Sequence, residues 1–260
     1  MTLREQLTDK VGKGHLSYSS IKYALGDMRL WEMYMRGQLK RESYALSFGS
    51  LYDMILFERE KAMNTYMILD PNKVLENCSE KTIASKKPQL TSDYKEQKAM
   101  LVKDHEENGG IVCSPEDWEM ANDMIQRLED CGLLGSHLTG EYQVEFNEEI
   151  DGVPVKGFLD CLGDGFITDS KSARSVSKFR YDINSWSYDI QAYIYTKVFG
   201  IKDYYWVVQE KTFPYYPALV KCSEETLFKG EMKFAEAVGN IKEWLKDETP
   251  TNESYAEFIV

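Results

Sequence analysis

Between residues 141 and 173 the hydrophobic pattern of the chain changes to a period of two, and no other feature constrains the fold as strongly. Three short segments carry the alternation, and turn residues separate them at 151–152 and 163–165. Such runs, bounded by Gly and Asp, are typical of β-strands joined as hairpins. The segments are EYQVEFNEEI, GVPVKGFLDCL and GFITDSKSA. The sequence therefore predicts an antiparallel meander of three strands.

The second hairpin carries charged side chains where a sheet normally buries aliphatic ones. Side chains alternate between the two faces of a strand, so Asp169 and Lys171 point to the same face. The turn at 163–165 brings Asp160 of the preceding strand next to them. Two carboxylates about 4 Å apart repel each other by roughly 1–4 kcal/mol, and burial adds a desolvation cost. A divalent cation removes this penalty, so the sequence predicts a cation site on the hairpin.

The candidate ligands on the hairpin are all oxygen atoms, which narrows the choice of metal. No histidine or cysteine pair lies beside Asp160 and Asp169 in the sequence, and oxygen ligands favour Mg²⁺ or Mn²⁺ over Zn²⁺. Five cysteines without a C-x-x-C pair argue against a disulfide framework, a structural zinc site and an iron–sulfur cluster. The predicted cofactor is Mg²⁺, for which Mn²⁺ can substitute.

The overall charge limits the classes of partner. The chain has 260 residues, 43 of them acidic and 31 basic, and its formal net charge is −12. This balance argues against a passive nucleic-acid coat, which needs basic charge spread over its surface. The same charge balance does not exclude a local basic groove around an acidic centre that binds a cation. The Lys-rich stretch 80–98 is either a solvated helix face or an arm that contacts phosphates.

The apolar stretches are too short for a membrane protein. No run of about 18 apolar residues is present, and the N-terminal stretch MTLREQLTDKVGKG has no apolar segment. We therefore expect neither a membrane span nor a secretory signal. The expected location is the cytoplasm, that of a bacterial host cell if the chain is encoded by a phage.

Helical patterns precede the predicted strands. Apolar residues recur at three- and four-residue steps over 21–35, which predicts one helix capped by Ser17 or Ser19. A second helix is predicted to begin near Gly49. Ser114, followed by a proline and two acidic residues, predicts the start of a third.

Helices and strands also follow the meander. The predicted elements are a helix, two strands and a last helix, over 186–199, 203–210, 213–222 and the residues after Ser223. Residues 71–114 are polar and rich in turn residues, which predicts a surface excursion. The order of elements predicts a single α/β domain over residues 1–260, in which helices flank a central mixed sheet.

The pattern D-x8-D-x-K on a hairpin, followed by Q-x-x-x-Y on a helix, resembles the PD-(D/E)XK nuclease superfamily. Six segments appear in the order found in phage and prophage exonucleases of the RecE and lambda-exonuclease kind. They are LSYSSIK, FGSLYDMIL, NGGIVCSPEDWEMANDMI, GEYQVEFNEEIDGVPVKGFLD, ITDSKSA and IQAYIYTKVFG. The resemblance spans about residues 15–210 and implies a restriction-endonuclease-like core with the active site on the hairpin.

The resemblance assigns metal and catalytic roles position by position. Asp160 and Asp169 would be the metal-binding carboxylates, with the backbone carbonyl of Ser170 as a further ligand. Lys171 would orient the attacking water and help to deprotonate it. Asp53 stands where relatives have His or Glu and would complete the metal shell. Asp reaches less far than Glu, so the binding of a second metal stays open.

Further positions are assigned to binding and support. Ser19 stands where relatives have a serine near the 5′-phosphate, although a helix cap explains it equally well, and Lys156 is assigned with it to substrate binding. Gln191 and Tyr195, one turn apart on a helix, would face the catalytic centre as polar support. Glu141 matches an acid that recurs at the start of the family's strand.

Taken singly, these residues have plainer interpretations. Asp160 could cap a strand end, and Lys171 could be a solvated lysine at a sheet edge. As a set they favour metal-dependent hydrolysis of phosphodiesters. That reaction needs a barrier lowered by roughly 20 kcal/mol, more than one acid–base pair supplies, and metal ions supply the larger share.

The resemblance also implies a biological role. It implies an exonuclease that degrades linear double-stranded DNA from 5′ to 3′ in phage-type recombination, together with a single-strand annealing protein. A ring-shaped homo-oligomer around the duplex is part of the same expectation. Two alternatives remain open: another endonuclease or RecB-like nuclease of the superfamily, and a catalytically inactive DNA-binding scaffold.

Overall fold

A computed structural model describes residues 1–39 and 43–246, and the chain divides into two compact units. The first unit comprises Met1–Glu42, Gly132–Thr212 and Tyr216–Val260, and the second comprises Ser43–Cys131 and Phe213–Tyr215. The single domain over residues 1–260 stays a prediction.

The described residues form helices and strands with the following bounds. The α-helices are α1 (Leu3–Val11), α2 (Tyr18–Gly26), α3 (Met28–Met35), α4 (Tyr44–Phe57), α5 (Arg59–Thr65), α6 (Pro71–Glu76), α7 (Glu80–Ile83), α8 (Ser92–Glu107), α9 (Pro115–Asp130), α10 (Leu133–His137), α11 (Phe179–Ser185), α12 (Tyr188–Phe199) and α13 (Glu224–Lys246). The strands are β1 (Tyr66–Ile68), β2 (Ile111–Cys113), β3 (Glu141–Ile150), β4 (Val153–Leu162), β5 (Phe166–Ala173), β6 (Asp203–Glu210) and β7 (Pro217–Lys221). Short 3₁₀ helices cover Pro88–Leu90 and Val176–Lys178.

The first unit contains a five-stranded sheet with the order β3-β4-β5-β6-β7. The pairs β3–β4, β4–β5 and β6–β7 are antiparallel, whereas β5 and β6 run parallel. The antiparallel meander over 141–173 and the central mixed sheet are therefore confirmed. Helix α12 lies in the connection between β5 and β6, which two parallel neighbours require.

Strands β4 and β5 pair with each other only next to the turn that joins them. Their ladder has only the pairs Cys161–Thr168 and Leu162–Ile167, while β5 continues beside β6 as far as Ala173. Further back along β4, Leu16 forms a parallel bridge with Val155. The open part of β4 therefore pairs with the segment that leads into α2, and a gap is left between β4 and β5 near Asp160.

Helices α1, α2, α3, α12 and α13 bury their apolar faces in the core of the first unit, together with the sheet. Helix α13 begins where the sequence predicts, because the Ser223 hydroxyl accepts a hydrogen bond of 3.1 Å from the backbone N–H of Thr226. The buried positions Phe234, Val238 and Ile241 recur at helical spacing and face α2 and α12. This packing holds α12 against the sheet.

Two sequence expectations about helix boundaries are wrong, and one is confirmed. The helix predicted over 21–35 is broken, because the Asp27 carboxylate caps α3 by accepting from the N–H of Arg29 at 2.9 Å. Of the two predicted caps of α2, Ser17 is confirmed, because its hydroxyl accepts from the backbone N–H of Ser20 at 3.2 Å, and Ser19 does not cap the helix. Helix α4 begins at Tyr44, five residues before Gly49, since Ser43 caps it.

The second unit is mainly helical. Its buried apolar residues include Leu51 and Ile55 of α4 and Met124 of α9, and these two helices pack together. The predicted start of α9 is confirmed, because the Ser114 hydroxyl accepts from the N–H of Asp117 at 3.0 Å. Residues 71–114 are more ordered than their composition indicates, since they form α6, α7, α8 and β2, and β2 pairs in parallel with β1.

None of the helices within 1–39 and 43–246 combines the length and apolar character that crossing a bilayer requires.

A close contact between α12 and α13 gives a test of this packing. A Cβ atom on Gly230 of α13 would lie 2.1 Å from the backbone oxygen of Asp189 on α12. We expect Gly230→Ala to lower the free energy of unfolding by about 2 kcal/mol, because the two helices must move apart. Gly239→Ala on the same helix meets no atom within 4 Å and should raise it by about 0.5–1 kcal/mol. Urea unfolding followed by circular dichroism measures both, and equal effects would contradict the close packing.

Candidate active site

Asp160, Asp169 and Lys171 come together where β4 and β5 separate. Oδ2 of Asp160 accepts a hydrogen bond of 2.9 Å from the backbone N–H of Ser170. Asp169 is fully buried, and its Oδ2 contacts Nζ of Lys171, whose side chain is 19 % exposed. The hairpin thus brings together the three charged groups that the sequence analysis selected, although their catalytic roles stay predictions.

A polar chain on α12 supports Asp169. Nε2 of Gln191 donates to Oδ1 of Asp169 at 2.8 Å and lies 3.2 Å from the hydroxyl of Tyr195. That hydroxyl donates to the backbone oxygen of Phe158 on β4 at 2.8 Å. Gln191 and Tyr195 therefore face the charged group, one turn apart on the helix, and link β4 to β5 across the gap.

The backbone of Ser170 lies at the same gap. In an extended strand the N–H and C=O of one residue point to the same side. Because the N–H of Ser170 points to Asp160, its carbonyl also faces the side of β4, beyond the last ladder pair at Thr168. The position suits the predicted role of this carbonyl as a metal ligand, and that role stays a prediction.

Burial and the charges of the neighbouring groups shift the pKa values of Asp160, Asp169 and Lys171. Burial raises the pKa of Asp160 against the opposing charge of Lys171. Burial and the charge of Asp160 raise the pKa of Asp169 to about 7, although Lys171 opposes the shift. Burial lowers the pKa of Lys171, but the two carboxylates outweigh it and raise this pKa above its usual value. Both carboxyl groups are therefore protonated more readily than an exposed aspartate.

The donor set fits a hard divalent cation. Among the described residues, no three His, Cys, Asp or Glu side chains are grouped to hold a metal ion. Two carboxylates suffice for Mg²⁺, which keeps several waters and takes further oxygens from substrate phosphates. Oε1 of Gln191 is buried and has no hydrogen-bond partner within the described ranges, so a water of a hydrated cation could donate to it. The residues present therefore fit Mg²⁺ or Mn²⁺.

The other predicted metal ligand lies in the second unit. Asp53 is half-buried on α4. Burial chiefly raises the pKa of Tyr66, and the charges of Cys113 and Asp53 add to this shift. Asp53 therefore lies near Tyr66 in its own unit. Its place in a metal shell with Asp160 and Asp169 stays a prediction.

The predicted binding and supporting residues occupy the first unit. Ser19 lies in the first turn of α2, directly after Tyr18. Lys156 is on the same face of β4 as Asp160, and its ammonium forms a 2.7 Å ion pair with Glu145. Glu141 is exposed at the start of β3, opposite Leu162. None of the hydrogen bonds or ion pairs described above joins these three residues to Asp160 or Asp169, and their roles stay predictions.

Sequence reasoning missed Gln143, which touches the site. The ladder pairs on either side place Gln143 opposite Asp160, and its side chain opposes the rise in the pKa of the Asp160 carboxyl group. Its φ of 50° lies in the left-handed region, where residues other than glycine carry strain. Strand register and backbone angle cannot be read from one glutamine in an alternating segment. No signal in the sequence marked this residue.

Comparisons with known proteins agree with this geometry. A family model described as "PDDEXK-like domain of unknown function (DUF3799)" matches residues 30–254. The crystal structure of a "Putative exonuclease" from Eubacterium rectale aligns with a TM-score of 0.63 at 16 % identity, covering 99 % of this chain and 94 % of that one, which shows a shared fold alone. The structure of SSO0001 has a TM-score of only 0.33 at 15 % identity, over 74 % and 84 % of the two chains. No curated protein sequence matches the chain.

The raised pKa values predict that the metal-free site destabilises the fold at high pH. The folded chain holds the Asp169 proton more tightly than the unfolded chain, so this contribution to stability is present below pH 3.8 and is lost as the pH rises through about 7. At pH 8 in EDTA we expect Asp160→Asn to raise the unfolding free energy by roughly 1 kcal/mol, or about 2–4 °C, because one of two repelling charges is removed.

The control for this change is Asp164→Asn, since Asp164 is an exposed turn residue. Thermal unfolding with and without Mn²⁺ should show stabilisation by the cation in the parent chain and in Asp164→Asn, and little in Asp160→Asn. Equal stabilisation of all three proteins by Mn²⁺ would remove Asp160 from the cation site.

Proposed function

The chain belongs to the PDDEXK-like family whose model matches residues 30–254, and from this premise we propose that it is a divalent-metal-dependent deoxyribonuclease that degrades linear double-stranded DNA from its ends. The observation that carries the proposal is the convergence of Asp160, Asp169 and Lys171 at the gap between β4 and β5. Two carboxylates and an ammonium at one opening are the residue types that metal-assisted phosphodiester hydrolysis needs.

Asp160 and Asp169 would hold the cation. A divalent cation bound by Asp160 and Asp169 would supply the Lewis acidity that phosphodiester hydrolysis requires. Asp169 is kept in one orientation by Gln191 and Lys171, and Asp160 by the N–H of Ser170. Fixed oxygens bind the cation without reorganisation, which favours a single binding geometry.

The ammonium of Lys171 serves the substrate. Its raised pKa keeps it protonated at neutral pH in the metal-free chain, so it can donate hydrogen bonds to a water or to a phosphate oxygen. It can also neutralise negative charge that develops on the phosphate. These properties support the orienting part of its predicted role and give no support to the proton-accepting part.

The finer features of the proposal rest on the resemblance in sequence. We extend the proposal to 5′-to-3′ polarity, to phage-type recombination with a single-strand annealing protein, and to a homo-oligomeric ring around the duplex. An enzyme of this kind would work in the cytoplasm of the bacterial host. The "Putative exonuclease" with the same fold favours action at ends over an endonuclease, and the complete set of Asp160, Asp169 and Lys171 argues against an inactive scaffold.

Whether the enzyme cleaves DNA from its ends or internally can be tested with two forms of one plasmid. With Mg²⁺ we expect the linear form to be lost progressively, the covalently closed circle to stay intact, and EDTA to stop the reaction. A 5′-phosphate on only one end should direct loss to that end. Cleavage of the closed circle would favour an endonuclease, and inertness of both forms would favour a scaffold. Gel electrophoresis over time measures all three outcomes.

Removing the ammonium tests the site itself. We expect Lys171→Ala to lower the cleavage rate by at least about 100-fold, since one electrostatic group in such a site contributes roughly 10²–10³. Lys197→Ala is the control, because Lys197 is an exposed lysine on α12 that pairs with Glu231. Circular dichroism should show both variants folded. Retained activity in folded Lys171→Ala would overturn the assignment.

A further inference from the structure

A row of aromatic and basic side chains runs outward from Lys171. Nζ of Lys171 lies 5.1 Å from the ring centre of Tyr188, and the rings of Tyr188 and Tyr18 are 6.5 Å apart. Nζ of Lys22 lies 5.3 Å from the ring of Tyr18 and 5.7 Å from that of Trp186. We call Tyr18, Lys22, Trp186 and Tyr188 the Trp186 surface. All of it belongs to the first unit, as does the candidate active site.

The outermost ring of this surface is exposed and yet firmly held. Trp186 is 49 % exposed, although a tryptophan normally buries most of its area. Its backbone N–H donates to the carbonyl of Asp182 at 2.8 Å, and its carbonyl accepts from the hydroxyl of Tyr18. The following residue, Ser187, is buried and has a φ of 58°. A strained backbone that presents an exposed ring beside an active site is typical of a binding position.

The segment 170–181, which leads toward Trp186, is locally basic in an acidic chain. Residues 170–181 contain four basic residues and no acidic one, whereas the chain carries a net charge of −12. Three of the four are exposed, namely Arg174, Lys178 and Arg180. Within the described residues, none of these three forms an ion pair. Clustered cations interleaved with aromatic rings are the features of a surface that binds nucleic acid.

The depth of the active site indicates which form of DNA would use this surface. Asp169 is fully buried and the side chain of Lys171 is 19 % exposed, so a phosphate must enter a recess to reach them. A strand separated from its complement can bend into such a recess. Its bases then expose both faces, whereas the bases inside a duplex are covered by their neighbours.

We propose that the Trp186 surface binds the unpaired end of a DNA strand, with one base stacked on Trp186 and an adjacent phosphate facing Lys22. The choice of DNA as ligand rests on the proposed function. The surface would hold a separated strand while the phosphate beside it occupies the site at Asp160 and Asp169. It would therefore favour frayed or single-stranded ends over intact duplex.

Binding measured without cleavage tests this proposal apart from the nuclease activity. The probes are 5′-fluorescein oligo(dT)20 and a labelled blunt 20-base-pair duplex, titrated in EDTA and followed by fluorescence anisotropy. We expect Trp186→Ala to weaken oligo(dT) binding about tenfold, because stacking on one ring contributes roughly that factor or more. Trp186→Phe, which keeps a ring, should stay within about threefold of the parent chain. Phe228→Ala is the control, since Phe228 is a similarly exposed ring on α13.

The salt dependence of binding separates stacking from charge. One phosphate contact to a single strand contributes about −0.7 to the slope of log K against log salt concentration. We expect Lys22→Ala to make the slope shallower by about that amount, and Trp186→Ala to leave the slope unchanged. An unchanged slope in Lys22→Ala would remove Lys22 from the phosphate contact and overturn that part of the proposal.

Several outcomes would overturn the proposal while leaving the nuclease assignment untouched. These are unchanged oligo(dT) binding by Trp186→Ala, an equal loss in Phe228→Ala, or no oligo(dT) binding by the parent chain. If Trp186→Ala weakened binding of the blunt duplex as much as binding of oligo(dT), the assignment to single strands would be overturned, and stacking on a duplex end would be indicated. Conversely, a chain that binds oligo(dT) through Trp186 but cleaves no DNA would support the binding site and refute the proposed function.

Discussion

The early separation of β4 from β5 is the constraint on which the rest of the site depends. After two residue pairs the backbone of β5 no longer pairs with β4, and the N–H of Ser170 needs another acceptor on that side. The Asp160 carboxylate fills that place. A sheet that stayed paired to its end would leave no gap for a cation and no opening for a phosphate. Tyr195 and Gln191 then join the two strands by side-chain hydrogen bonds where ladder bonds are missing.

The gap brings together charged side chains whose burial lowers the stability of the fold. Two carboxylates and one ammonium leave a net negative charge in a place where burial already raises the pKa of both aspartates. Such a group costs stability until a cation or a proton enters, which is the usual relation between a functional site and its scaffold. Close packing elsewhere, such as that of α12 against α13 at Gly230, holds the helix that orients Asp169. Helix α12 therefore carries both the polar side chains that support the site and apolar side chains of the core.

The predictable parts of the chain are those in which local patterns and long-range packing agree. The strands of the meander followed from alternation and turn residues, and α9 and α13 followed from their serine caps. The break at Asp27 was not predicted, because apolar residues keep their helical spacing across it while the carboxylate caps a new helix. The place of Asp160 beside Asp169 was predictable because a short turn leaves one main register. The contact of Gln143 was not, because it depends on strand pairing and an unusual φ.

Patterns along the chain were enough to predict the strand order of the meander, the residue types of the charged group and the resemblance to a nuclease superfamily. Each of these depends on neighbours within a few residues or on a pattern along the chain. The packing of the folded chain sets where β4 leaves β5, brings Gln191 of α12 to Asp169, and leaves Trp186 exposed in the row of aromatic and basic side chains that begins at Lys171. These features join elements that are distant in sequence. Packing and strand register, which single-residue patterns do not encode, determine which of them meet.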